Sequence, residues 1–298
     1  MNARDLCLAI AVAAIWGVNF SFIKLGVAHI DPFVLAGLRF TLTALPLVFW
    51  LPRPAVAWRW LVVYGFAFGV GTWGLVTLAV RAGLSPGLAA WLLQSSAFLT
   101  PILGLLWLGE ALSRAQKLGS AIALVGFVLV VMATDGATSA MGITLVLAAA
   151  VSLSAANLVV KRSGVKPGQI LGFVAWSCLF APLPLFALAC ASTGEAAFAA
   201  LPQQFTGIAW ASLAFQVYPT TLFGYWVWNS LMARYSAAEV SPVALLVPIF
   251  ALVFAWLLFG VVATPGQTIG IVFILLGLLT TTFYQRLSLV LTLKGWVR

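Results

Sequence analysis

Hydrophobic runs of about twenty residues, separated by connections of only a few, fill this chain from end to end. Each run is long enough to cross a hydrocarbon core of roughly 30 Å as a helix. In that solvent every backbone N–H and C=O must find a partner within the chain, and runs of this length do so as helices. Composition agrees, with 63% of the 298 residues hydrophobic and 7% charged. A soluble domain carries about 25% charged residues.

Breakers divide the chain into ten predicted helices, about 5–27, 32–51, 58–80, 85–109 and 115–134, then 141–161, 168–191, 205–232, 237–259 and 266–285. The connections read as turns: Asp31-Pro32, Leu51-Pro52-Arg53-Pro54, Ser85-Pro86-Gly87 and Thr264-Pro265-Gly266. Two longer loops, Thr134–Ala140 and Ser192–Gln204, are too short for a soluble domain. The tail Leu287–Arg298, with Lys294, Trp296 and Arg298, is expected on the membrane surface. No removable signal peptide is expected, because the N-terminus enters a full-length span with no small-residue cleavage site.

The net charge of +9 comes from residues at the ends of hydrophobic runs, not from a patch, so no nucleic acid is expected as a partner. With the N-terminus inside, the cytoplasmic face carries Arg4, Arg53, Arg59, Arg114, Lys117, Lys161, Arg162, Lys166, Arg234, Arg286, Lys294 and Arg298. The outer face carries Lys24 and Arg81, and Arg39 falls inside the second run. Twelve against two predicts both termini in the cytoplasm and an even number of spans.

A shift of 151 residues superimposes the fourth and fifth runs on the ninth and tenth without a gap. It pairs Gly109 with Gly260, Gln116 with Gln267, Gly119 with Gly270 and Gly126 with Gly277. The first and sixth runs match more weakly, Asn19 and Lys24 against Asn157 and Lys161. Five spans per repeat is odd, so the repeats must lie upside down relative to each other. That architecture recurs in secondary transporters, whose substrate sits near the midplane between the halves. The predicted fold is therefore an all-α polytopic membrane protein, ten transmembrane helices in two inverted five-helix repeats. Its parts are 1–134, a connecting loop 135–140, a second repeat 141–285 and a tail 286–298.

Trp16-Gly17-x-Asn19 with Lys24, then Pro32, Arg39-Phe40, Pro101, Gly109-Glu110, Gln116-x-x-Gly119 and Gly126 resemble EamA-type proteins of the drug/metabolite transporter superfamily. Within it the chain is similar to YddG-type amino-acid exporters. The resemblance implies a carrier of small metabolites in the inner membrane. Gly260 is followed by Val261 where the second repeat often has Gly-Glu, which leaves Glu110 without a symmetry mate.

Catalysis is poorly supported. The only histidine, His29, lies at the outer end of the first run, so no Ser/His/Asp or metal cluster is available, and the six acidic residues form no pair suited to acid/base work. Cys7, Cys178 and Cys190 lie in hydrophobic runs without metal spacing. No cofactor or metal is expected. Asp5, Asp31, Glu110, Asp135, Glu195 and Glu239 sit at helix ends or loops, so no mid-membrane carboxylate offers proton coupling, and facilitated diffusion or exchange is expected.

Polar residues inside the runs carry the candidate site. Asn19, one turn after Trp16, either holds two helices together or faces a solute. Arg39 lies about 12 Å into its span; it either snorkels to helix-end carbonyls or lines a cavity and meets a substrate carboxylate. Together with Trp73, Thr77, Gln94, Asn157, Trp176, Tyr218 and Tyr225 they form the candidate substrate-binding set, and Gln216 and Asn229 lie nearby in the runs. Trp and Tyr offer apolar surface with one hydrogen-bonding edge, suited to a small zwitterion with a variable side chain. Pro101, Pro219 and Pro248 are candidate hinges. The reading is an exporter of amino acids, neutral and aromatic included, or related metabolites by alternating access, working as a monomer or weak dimer. The alternatives are a carrier of a drug, nucleotide sugar or sugar phosphate, or a membrane-embedded enzyme.

Overall fold

The computed structural model describes residues 2–109, 112, 114–133, 139–199, 201–235, 240, 243–244 and 246–293. Glu110, Asp135, Glu239, Lys294, Trp296 and Arg298 lie outside these, as do the side chains of Gln116, Asn229 and Arg286. Among the described residues all regular structure is helical.

Helix α1 (Ala3–Val27) begins where the Asn2 side chain accepts a hydrogen bond from the Asp5 N–H at 2.8 Å. Helix α2 (Pro32–Trp50) begins at Asp31, whose carboxylate accepts from the N–H groups of Phe33 and Val34. Pro32 occupies a first-turn position whose N–H would have had no partner. Then come α3 (Trp58–Arg81), α4 in two pieces (Pro86–Leu93 and Ser96–Leu108), α5 (Arg114–Met132) and α6 (Ala140–Ser163). Helix α7 is also broken (Ile170–Cys178 and Pro182–Thr193). Helix α8 joins Gly207–Phe215, Gln216–Phe223 and Gly224–Arg234 end to end. Helices α9 (Leu246–Phe259) and α10 (Pro265–Leu293) complete the order.

Helices α1, α2, α3, α4, α6 and α7 are each long and apolar enough to cross a bilayer, while α5, α9 and α10 hold shorter apolar stretches. Helix α8 carries Gln216, Tyr218, Pro219, Thr220 and Thr221, which dilute its apolar character. Two expectations shift. Helix α10 runs on to Leu293 instead of ending near 285, because no Gly or Pro interrupts 286–293. The predicted loop after Ser192 holds two single turns, Ala196–Ala199 and Leu201–Gln204.

Packing follows the repeat. Helix α1 lies against α8 and α9, and α6 lies against α3 and α4. Helix α2 packs on α7, and α5 on α10. Exchanging each helix with the one five places along reproduces this set of neighbours. The α5/α10 contact is antiparallel: a Cβ at Gly126 would lie 2.6 Å from the Gly270 carbonyl oxygen, and one at Gly277 would lie 2.5 Å from the Gly119 carbonyl oxygen. Four of the glycines that reveal the repeat in sequence, Gly119, Gly126, Gly270 and Gly277, are therefore points where the two backbones touch.

Both α3 and α8 widen into π-helix, at Gly65–Gly74 and Gln216–Phe223. The two segments begin 151 residues apart, at 65 and 216, the spacing of the sequence repeat. In each, a threonine hydroxyl donates to the carbonyl five residues back, Thr72 to Ala67 at 3.0 Å and Thr221 to Gln216 at 2.8 Å. Pro219 has no N–H to give the ladder, one local cause of the widening in α8. At one end of the bundle the buried Asp5 carboxylate accepts from Arg234 at 3.2 Å and from the Tyr235 hydroxyl at 2.7 Å, tying α1 to α8. That bond raises the Tyr235 phenol above its ordinary pKa.

Candidate functional site

A cavity of about 180 Å³ lies where α1, α2, α3, α4, α6, α8 and the approach to α9 converge. Helix α1 contributes Trp16, Asn19 and Phe20, and α2 contributes Arg39. The widened segment of α3 supplies Phe68 and Trp73, and α8 supplies Thr220 and Tyr225. Ala90, Leu93 and Gln94 come from the end of the first piece of α4, where the helix breaks, and Leu153 from α6. Ala244 and Val247 close the remaining side.

The walls are aromatic. Trp16 and Tyr225 have ring centroids 5.5 Å apart, Tyr225 and Phe68 6.1 Å, Phe68 and Trp73 6.4 Å, and Trp73 and Phe20 6.0 Å. The Trp16 indole N–H donates to the Thr220 carbonyl at 3.0 Å. It reaches that carbonyl because residue 224 is glycine; a Cβ there would sit 2.5 Å from Trp16 Nε1. Asn19, fully buried, accepts from the Thr220 hydroxyl at 3.1 Å. Arg39 is 1% exposed and donates through Nη2 to the Thr221 hydroxyl at 3.3 Å. Its guanidinium carbon lies 4.4 Å from the centre of the Trp73 ring, a cation–π contact. Both π segments thus hold the buried cation, one through Trp73 and one through Thr221.

Six residues of the predicted set meet here: Trp16, Asn19, Arg39, Trp73, Gln94 and Tyr225. Four lie elsewhere. Thr77 is buried and donates to the Trp73 carbonyl on its own helix at 2.7 Å. Asn157 is exposed and donates to the Thr100 hydroxyl at 3.4 Å. Trp176 donates to the Leu51 carbonyl at 3.0 Å, and Tyr218 is 62% exposed. The aromatic and aliphatic lining, Phe20, Phe68, Leu93, Leu153 and Val247, carries no mark in so apolar a chain. Thr220, a hydroxyl beside Pro219 inside a span, was readable as a polar position. Among the prolines, Pro219 sits in the widened part of α8, while Pro101 and Pro248 sit early in the helices that follow the cavity wall.

The Asn19–Thr220 bond joins the two halves at the cavity. A double-mutant cycle of Asn19→Ala and Thr220→Ala, read from denaturant midpoints in detergent, is expected to give a coupling of roughly 0.6–1.7 kcal/mol, the range of interhelical hydrogen bonds in membranes. A coupling near zero would show that the pair makes no net bond.

A second cavity, about 320 Å³, lies further along α1, α4 and α9 towards the start of α10 and includes Lys24, Leu88, Leu252 and Gln267. Lys24 Nζ sits 4.2 Å over the Phe259 ring. Among the described residues no cluster of His, Cys, Asp or Glu could hold a metal ion.

Known proteins resemble the chain over nearly its whole length. It is 34% identical over 302 residues to a probable amino-acid metabolite efflux pump of Salmonella typhimurium, covering 99% of this chain and 100% of that one. A protein of the same description from Escherichia coli is 34% identical, covering 96% and 97%. An uncharacterized transporter of Bacillus subtilis is 24% identical, covering 92% and 95%. A solved crystal structure shares the fold with a TM-score of 0.63 at 17% identity, covering 95% of this chain and 97% of the other. The sequence pattern of the EamA-like transporter family matches twice, over residues 4–132 and 140–283. With that duplicated match spanning the chain, this multi-pass membrane protein belongs to the EamA-like transporter family.

Proposed function

We propose that the protein exports amino acids or closely related small metabolites across the inner membrane by alternating access. In this reading ten spans form two inverted five-helix repeats, with both termini in the cytoplasm. The observation that carries it is the cavity, built from both halves of the chain and lined by aromatic rings with a few polar groups. The antiparallel α5/α10 contact and the exchange symmetry of the packing support the inverted arrangement. The description of the Salmonella and Escherichia relatives supports the class of cargo.

Helices α3 and α8 line the cavity with their widened segments, which are easier to bend than continuous α-helix. We assign the rocking motion to them, with the cavity containing Lys24 as the vestibule on the outer side. Among the described residues that line the central cavity there is no Asp or Glu, which favours facilitated diffusion or exchange over proton coupling.

Reconstituted protein should show saturable, trans-stimulated counterflow of at least one of the twenty amino acids, with an imposed pH gradient alone driving no accumulation. Asn19→Ala should reduce the counterflow rate several-fold. Linear, non-saturating flux would identify a channel instead, and accumulation driven by pH would overturn the energetic assignment.

A further inference from the structure

The fully buried hydrogen-bonding capacity left over among the described residues of the cavity is of one kind. Among the described residues lining it, the buried polar atoms without a partner are Arg39 Nε and Nη1, Trp73 Nε1 and Asn19 Nδ2. All four are donors, and the Arg and Trp atoms cannot act otherwise. The acceptors alongside them are engaged: Asn19 Oδ1 takes the Thr220 hydroxyl, and the Thr220 carbonyl takes the Trp16 indole.

Among the described residues, charge at the cavity is equally one-sided. Arg39 is a fully buried cation whose contacts are a threonine hydroxyl and the Trp73 and Phe40 rings. The nearest carboxylate along α2, Asp31, is committed to the Phe33 N–H at 2.9 Å and the Thr193 hydroxyl at 2.8 Å. Asp5 is committed to Arg234 and Tyr235. Leaving a buried cation without a counter-ion and two further donors, Trp73 Nε1 and Asn19 Nδ2, without partners is costly, and an entering anion relieves that cost. Among the described lining residues, an ammonium entering the same space meets neutral oxygens, such as those of Tyr225 and Gln94, and no carboxylate.

We propose that the cavity is a carboxylate anchor: Arg39, Trp73 and Asn19 recognise the cargo's carboxylate, and its amino group is dispensable. The recognised class is then small monocarboxylates with an apolar or modest side chain, amino acids being members of it. This rests on the export reading above but extends beyond it, since it admits 2-hydroxy and 2-oxo acids and rejects amides and esters.

The test compares, for each of the twenty amino acids, the acid, its 2-hydroxy analogue where stable, and its amide. Probes compete in proteoliposome counterflow, and thermal stabilisation of the purified protein is read in parallel. The expected result is that hydroxy acids compete within about threefold of the amino acids. Amides should be weaker by roughly 10- to 100-fold, as for loss of a hydrogen bond to a charged group. Arg39→Gln should equalise acid and amide, and Arg39→Lys should restore part of the difference. The wild-type series decides the matter even if these variants fold poorly. An amide as effective as its acid, or a hydroxy acid that fails where its amino acid succeeds, overturns the anchor and leaves amino-acid export standing. Transport of hydroxy acids but of no amino acid would overturn amino-acid export and leave the anchor standing. If no acid of either kind competes or stabilises, both fall.

Discussion

Replacing Gly126 with leucine is expected to leave little or no folded protein. Leucine is a good helix former, so α5 itself loses nothing by the change. The damage comes from the partner. A Cβ at position 126 would lie 2.6 Å from the Gly270 carbonyl oxygen and 2.7 Å from the Ile274 nitrogen, backbone atoms that no rotamer change can move away. The two helices must separate, which also opens the Gly119–Gly277 contact, where a Cβ at 277 meets backbone at 2.5 Å. Water gives no hydrophobic push to re-form such a contact inside a bilayer; close packing is what holds it. Overpacking of a dense interface costs about 1–3 kcal/mol and more when backbone is the obstacle, and here a whole helix pair is displaced. Size-exclusion monodispersity and melting temperature in detergent are the readouts. Gly207→Ala, where nothing lies within 4 Å, is the control and should stay within about 0.5 kcal/mol of wild type. Wild-type melting of Gly126→Leu would show that the α5/α10 contact is not as close as described.

Ala90→Trp is expected to stop transport while keeping the fold. Ala90 is 2% exposed and faces a cavity of about 180 Å³, so an indole there takes the space that cargo would occupy. Because the indole extends into the cavity and not into packed side chains, it need not displace neighbours, which limits its effect on stability. Counterflow should fall at least tenfold, a change of about 1.4 kcal/mol, with normal yield and monodispersity. Leu183→Trp, at a position 78% exposed on the outside of α7, should transport as wild type. Wild-type counterflow by Ala90→Trp would remove this cavity from the transport route.

Much of the architecture was legible before any coordinates. Asp31-Pro32, just ahead of an apolar run, marks a helix start, and Gly109 ends its helix with φ +69° where a left-handed residue is needed. The glycines at 119, 126, 270 and 277 announced the repeat, and the structure gives their reason in backbone contact across α5 and α10. The widening of α3 was not legible: Gly65–Gly74 contains no proline, and its ladder is reset by contacts such as the Ser152 hydroxyl donating to the Ala67 carbonyl.

From the residues alone it follows that the chain is a helical membrane protein and that it is duplicated. Those follow from the need to satisfy every backbone group within the chain once water is gone. Only the tertiary structure decided which polar side chains look inward. Asn19 and Asn157 stand on matching helices, yet one is buried at the cavity and the other exposed beside Thr100. In a soluble protein the apolar stripe of each helix would have told them apart. Here lipid and helix interface are equally apolar, so no periodicity marks the inner face, and the choice is made by how the helices pack.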